Sequence, residues 1–210
     1  MPEGGSVLRD RHGVAPDAVG LNLYRADAAL ATLLDLHLAP GLRAHLEPHL
    51  DALGELAGGE LDALARAADR NPPELAPRDR FGATANEVRH HPAYAAMQRI
   101  GLGRFGLAAM THRAGVLGWP EPLPAVAKYA FQYLFAQAEF GLLCPISMTD
   151  TMAKVLRLYA SPEIRERWLP RLTSQDPETW ASGAMFMTER QAGSDVGAIE
   201  TVAARQPDGT

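Results

Sequence analysis

From about Asp27 the apolar residues recur at helical spacing: Leu30, Leu33, Leu34 and Leu38 share one face at i, i+3, i+4 and i+8. Pro40-Gly41 ends that segment. Leu42, Leu46, Leu50 and Leu53 predict a second helix, which Pro48 should kink or restart because proline cannot donate its backbone hydrogen bond. Gly58-Gly59 punctuates it, and Leu61, Leu64, Ala65 and Ala68 form a third stripe. Asn71-Pro72-Pro73 must leave the helix. The polar, proline-bearing stretch from Asn71 to His91 reads as a loop excursion, followed by a helix from about Pro92. The glycine-rich stretch from Gly101 to Pro122 carries no clear period.

Pro124 to Leu143 is apolar nearly all round, interrupted only by Lys128, Gln132, Gln137 and Glu139, and so predicts a helix in the middle of a bundle. Met152, Val155, Leu156 and Tyr159 give the next stripe. Ser161-Pro162 is a helix start, with a capping hydroxyl and proline at the first position. In the helix it opens, Ile164, Trp168, Leu169 and Leu172 are the buried side, and Glu163, Arg165, Glu166 and Arg167 the wet one. After Asp176-Pro177 the helical period is lost. Ala181 to Met187 reads as extended and buried, Ala192 to Gly197 as a glycine-bearing turn, Thr201 to Arg205 as a strand, and Gln206-Pro207-Asp208-Gly209 as a turn. A strand needs a pairing partner, so the chain reads as cut at the first hairpin of a β domain. The expected organisation is a flexible tail over 1–20, a helical domain over 21–176, and the incomplete start of a β domain over 177–210.

Composition narrows the function. Lys and Arg number 20 against 25 Asp and Glu, a formal charge of −5, which argues against a dominant nucleic-acid surface in this segment. The single Cys144 excludes an internal disulfide and makes a reducing, cytoplasmic setting the default. The first twenty residues lack an apolar signal core, and no run approaches the ~18 residues of a membrane span. The expectation is a soluble protein with no membrane partner.

Candidate chemistry concentrates in Met185-Phe186-Met187-Thr188-Glu189-Arg190-Gln191-Ala192-Gly193-Ser194-Asp195. Extended backbone offers a row of amides and carbonyls to a flat heterocycle, Thr188 adds a hydroxyl, and Ala192-Gly193-Ser194 permits close approach of a large ligand. On spacing alone, an ordinary turn between a helical and a β region accounts for it as well. His45 and His49, one helical turn apart, have metal-ligand spacing but no third ligand, and read as surface histidines. Arg89-His90-His91 reads as a solvated helix start rather than an anion site. Tyr129, Phe131, Tyr133 and Phe135 are mostly core, and Cys144 is a buried small hydrophobe. Arg165, Arg167 and Arg171, interleaved with Glu163 and Glu166, read as a wet helix face.

The run Met187-Thr188-Glu189, then Ala192-Gly193-Ser194-Asp195 and Ala198, resembles the signature of the acyl-CoA dehydrogenase family, placed after a helical domain as in that family. Leu21-Asn22-Leu23-Tyr24, Asn71-Pro72-Pro73-Glu74-Leu75, Arg89-His90-His91-Pro92-Ala93-Tyr94 and Leu143-Cys144-Pro145-Ile146-Ser147-Met148-Thr149 are similar to its AidB-like branch, named for the adaptive response to alkylation. The resemblance implies a mainly α fold here: the N-terminal helical domain and the first strands of a central β domain. In that family a C-terminal helical domain follows, and the assembly is a homotetramer built as a dimer of dimers. It further implies FAD as cofactor, an acyl-CoA thioester as substrate, and α,β-oxidation with hydride transfer to the flavin.

Carried over, Met185, Phe186, Met187 and Thr188 line the flavin edge, and Thr188 hydrogen-bonds near its reactive nitrogen. Gly193 and Ser194 serve the flavin phosphates, or Ser194 the pantetheine of the substrate. The base, a glutamate, is expected beyond Thr210, and Glu189 is not that base. Phe186 stands where many members carry a small residue, and Arg190-Gln191 replaces the common proline-containing pair. Either departure can weaken ordinary dehydrogenase activity. The alternative is a flavin-holding protein of the alkylation response with vestigial chemistry, binding DNA through a C-terminal domain. A helical interaction module acting alone is a third reading, against which the unfinished hairpin speaks.

Overall fold

The computed structural model describes residues 17–207; residues 1–16 of the tail expected over 1–20, and Asp208-Gly209 of the expected turn, lie outside them. The fold is mainly α. Leu23–Ala26 (α1), Ala28–His37 (α2), Pro40–Ala57 (α3) and Glu60–Asp69 (α4) lead into a hairpin of Glu74–Arg78 (β1) and Thr84–Arg89 (β2). Pro92–Gln98 (α5) continues into a π turn over Arg99–Arg104. Irregular chain then leads to Ala125–Ala138 (α6), Phe140–Tyr159 (α7) and Pro162–Leu172 (α8). One core joins α1 to α7, with Leu46, Leu50 and Leu53 of α3, Leu61, Met97, Phe105, Leu107 and Met110 closing on Phe131, Leu134 and Phe135 of α6.

Three helices continue past internal prolines. Pro48 does not restart α3, one of the two outcomes the sequence allowed, and Pro145 and Pro170 lie within α7 and α8. The carbonyl that Pro48 leaves unbonded belongs to exposed Ala44, where water can satisfy it. Pro40-Gly41 separates α2 from α3 by opening the latter with proline in the first turn.

The Leu21–Tyr24 motif docks the start of the fold onto α3. Asn22 Oδ1 accepts from the amides of Tyr24 and Arg25, and its Nδ2 donates to Asp51. Arg25 pairs with Asp51, and the Tyr24 hydroxyl donates to Glu47 at 2.6 Å. Burial first, and the Glu47 carboxylate second, push the Tyr24 phenol up to about 12. The seat depends on two glycines of this region: a Cβ on Gly54 would overlap Asn22 and Tyr24, and one on Gly58 would overlap the Leu21 carbonyl. Gly58→Ala should therefore cost about 1–3 kcal/mol, the range for overpacking. A denaturation midpoint equal to that of the wild type would show that the segment is not seated this tightly.

Several expectations are corrected. The stretch Asn71–His91 is an antiparallel hairpin, pairing Glu74 with Arg89 and Leu75 with Val88, and not a loop. Its register shifts between Ala76 and Arg78, where Pro77 has no amide to give the ladder, and Asn86 on the facing strand takes a positive φ. Asp79 Oδ1 closes the turn by accepting from the Phe81 and Ala83 amides.

The segment Pro124–Leu143 is two helices broken at Glu139, whose side chain caps α7 by accepting from the Leu142 amide at 2.8 Å. Nor is α6 buried all round: Val126, Tyr129 and Tyr133 face outward, while Lys128 and Gln132 are 6% and 7% exposed.

The inner face of α7 is Leu142, Ile146, Thr149 and Ala153, with Val155, Leu158 and Tyr159 exposed. Leu33 and Ile164 are exposed as well, although Leu30, Leu34 and Leu172 are buried. Ser161 caps α8 as expected, accepting from the Ile164 amide. Thr201 to Arg205 forms no strand among the described residues.

Candidate functional site

The signature run leaves the helical bundle at a tight junction. Thr149 of α7 donates its hydroxyl to the Pro145 carbonyl at 2.7 Å and accepts the Gly183 amide at 3.0 Å. A Cβ on Gly183 would stand 2.7 Å from the Met152 Cβ and 2.9 Å from the Met148 carbonyl, so the chain lies directly on the helix. Just upstream, the Ala181 amide donates to the Arg171 carbonyl at the end of α8. The Leu143–Thr149 motif thereby anchors the signature run, a link that needs the fold and is invisible in either stretch alone.

Beyond Gly183 the chain has no regular secondary structure and is not buried. Met185, Phe186 and Met187 are exposed, Phe186 at 98%, and Thr188 is exposed too. The expectation of a buried run is corrected: among the described residues nothing packs over it. The amides and carbonyls of residues 184–188 make no hydrogen bond with any described group.

The run is fixed again at its far end. The Glu189 amide donates to the Ala192 carbonyl at 2.7 Å, making a turn with Ala192 buried inside it. Gly193 and Ser194 stand on the outside of that turn; a Cβ on Gly193 would meet nothing within 4 Å. Of the six residues expected to hold the cofactor, Met185 to Thr188 form one continuous open edge, and Gly193 and Ser194 follow on the next loop.

Sequence reading missed a polar cluster in the bundle. Lys128 Nζ lies 2.6 Å from Asp150 Oδ2, and His112 Nε2 lies 2.9 Å from Oδ1 and 3.1 Å from the Asp150 carbonyl. Facing two acceptors, Nε2 carries the ring proton. Burial pushes the Asp150 carboxyl up, but the hydrogen bonds from His112 and Lys128, with the lysine's charge, outweigh it and hold it below its usual range. These groups line an open recess of about 420 Å³ with Lys154, Arg157 and Tyr129. A lysine in an apolar helix was the one signal of it; its partner lies 22 residues away.

The remaining candidates resolve simply. His45 is half-buried, its Nε2 2.9 Å from the Leu117 carbonyl and its ring 5.1 Å from Trp119. His49 lies nearby, its ring tilted against that of His45 at 5.6 Å and its basicity lowered by burial first and by His45 second. The pair pins the 115–119 turn, and no group of three metal-binding side chains occurs among the described residues. His91 caps α5 through the Ala93 amide, while His90 stacks on Tyr94 at 4.3 Å. Cys144 is exposed, a correction, because it falls on the outer side of α7 between buried Leu142 and Ile146. No described helix is long and apolar enough to cross a membrane.

The family described as the adaptive response protein AidB N-terminal domain matches residues 14–178. The chain is 32% identical over 201 residues to the AidB protein of Escherichia coli (strain K12), covering 90% of this chain and 35% of that protein. It is 27% identical over 187 residues to acyl-CoA dehydrogenase family member 11 of Caenorhabditis elegans, covering 87% and 30%. The chain thus spans about a third of the length of these relatives.

Among solved structures, the apo form of Bd2924 superposes with a TM-score of 0.74 at 30% identity, over 83% of this chain and 34% of that one. Caenorhabditis elegans ACDH-11, solved in complex with C11-CoA, gives 0.72 at 22% identity, over 90% and 32%. With the family match spanning the helical bundle and two independent folds superposing on it, the chain belongs to the AidB N-terminal domain family, the helical front part of AidB-like acyl-CoA dehydrogenases.

Proposed function

We propose that this chain is the helical platform of an FAD-dependent acyl-CoA dehydrogenase, and that residues 184–188 form the edge against which the flavin lies. The observation that carries this is the open main chain of 184–188: tethered at Gly183 and Glu189, yet with no hydrogen bond along its length. An exposed row of amides and carbonyls held at both ends is preorganised to bind a planar polar heterocycle without reordering. FAD would supply the hydride acceptor for α,β-oxidation of an acyl thioester. A structural neighbour solved with C11-CoA supports the thioester as substrate class.

On this reading Met185, Phe186 and Met187 cover the ring, and the Thr188 hydroxyl donates to the nitrogen that gains electron density. Gly193 leaves room for the phosphates, and Ser194 donates to them or to the pantetheine. Glu189 is not free to serve as base, since both its oxygens accept hydrogen bonds from this chain. The α-proton falls to a carboxylate outside residues 17–207.

The full-length protein should retain FAD and lose its flavin colour on anaerobic addition of a suitable acyl-CoA. Thr188→Ala should slow that bleaching roughly a hundredfold, the typical cost of one donor aimed at developing charge. A full-length protein that stays colourless after reconstitution with FAD, or a T188A variant that bleaches at the parental rate, would sink the proposal.

A further inference from the structure

Glu189 is bonded far beyond what a surface glutamate needs. Its Oε2 accepts from the Glu200 amide at 2.9 Å and from Gln191 Nε2 at 2.6 Å, and its Oε1 accepts from the Thr201 amide at 3.0 Å. The two amide bonds reach 11 and 12 residues along the chain, closing residues 190–199 into a ring. Inside that ring the chain is only loosely self-supporting: the turn to Ala192, a short 3₁₀ turn over Val196–Ala198, and the Ala198 amide on the Asp195 carbonyl. Gly193 and Ser194 stand on it with no hydrogen bond of their own to the bundle.

Closing a loop of this length costs chain entropy, and two charge-assisted bonds from one carboxylate are what offset it here. Hydrogen bonding from Thr201 first, and from the Glu200 amide next, holds the Glu189 carboxyl below its usual range, so the closure is made by the ionised form.

We propose that Glu189 is a positioning residue: its carboxylate keeps the 190–199 loop closed and thereby sets where Gly193 and Ser194 meet a bound flavin. The loop closure stands on the hydrogen bonds alone, whereas the role toward FAD rests on the function proposed above. Glu189 touches neither cofactor nor substrate in this role and acts only through the backbone it gathers.

The test uses the full-length protein stripped of FAD, with Glu189→Ala, Glu189→Gln and, as a control on the neighbouring side chain, Arg190→Ala. Amide hydrogen exchange read by mass spectrometry should quicken about tenfold at Glu200 and Thr201 in E189A, less in E189Q, which keeps one acceptor, and not at all in R190A. FAD titration by fluorescence quenching should show affinity weakened about tenfold in E189A and partly restored in E189Q. The thermal midpoint of the helical bundle should not move.

Unchanged exchange in E189A overturns the closure. Faster exchange with parental FAD affinity overturns the link between closure and ligand. A parental protein that binds no FAD overturns the flavin reading, and the positioning role toward it, while the exchange measurement still decides whether Glu189 closes the loop.

Discussion

Replacing Asp150 with alanine is expected to destabilise the fold by roughly 2–4 kcal/mol, because it strands the Lys128 ammonium in the bundle. Lys128 is 6% exposed and meets Asp150 at 2.6 Å; with the carboxylate gone, no other anion among the described residues is bonded to it. His112 loses its carboxylate contact in the same step. The cost sits at or below the range for a fully buried pair because the recess beside Asp150 is open to water. Chemical denaturation at unchanged slope measures it, and a midpoint within experimental error of the wild type would contradict the pairing. Lys128→Met combined with Asp150→Leu should recover most of the loss, since it removes both charges together.

The same cluster fixes the sign of the acid response. Its carboxyl is held below the ordinary value, so its stabilisation is complete above the unfolded value of about 3.9 and fades as pH falls through the lower folded one. In D150A that part of the acid limb should flatten.

Lys128 also shows what could and could not be read from the sequence. Where a helix announces itself by local chemistry, the prediction holds: Ser161-Pro162 opens α8 with the expected cap, and Gly58-Gly59 divides α3 from α4. In α6 the ordinary rule is inverted. Lys128 is inside and the aromatic Tyr129 outside, because the lysine's partner is on α7 and the ring of Tyr129 lies 4.5 Å from the lysine's own ammonium. No local window contains that information.

The hairpin failed for a related reason. Both strands are almost wholly exposed, so there is no buried face to impose alternation, and Pro77 argues against a strand without revealing that a bulge accommodates it. At the site, the order of residues from Met185 to Ser194 was legible, and so was the loss of helical structure after Asp176-Pro177. Its two tethers were not: Thr149 lies 34 residues before Gly183, and Glu189 acts on amides 11 and 12 residues later.

Phe131→Ala should cost about 3–5 kcal/mol, whereas Tyr133→Ala, two residues on in the same helix, should cost about 1 kcal/mol. Phe131 is 0% exposed and lies 5.8 Å from the ring of Phe105, with Ala127 and Leu134 on the same face. Removing it leaves a cavity that a close-packed interior cannot fully collapse to fill. Tyr133 is 48% exposed; its loss removes a hydrogen bond to Asp27 at 2.7 Å, but Asp27 keeps its cap on the Leu30 amide.

By hydrophobic pattern the two residues are equivalent, and their difference is purely one of which way α6 is rolled. The same roll turns Lys128 toward Asp150, so the two sets of variants probe one arrangement. Paired unfolding curves measure the gap between them. Equal costs for F131A and Y133A would mean that α6 is rolled away from its observed seat, with Lys128 no longer turned toward Asp150.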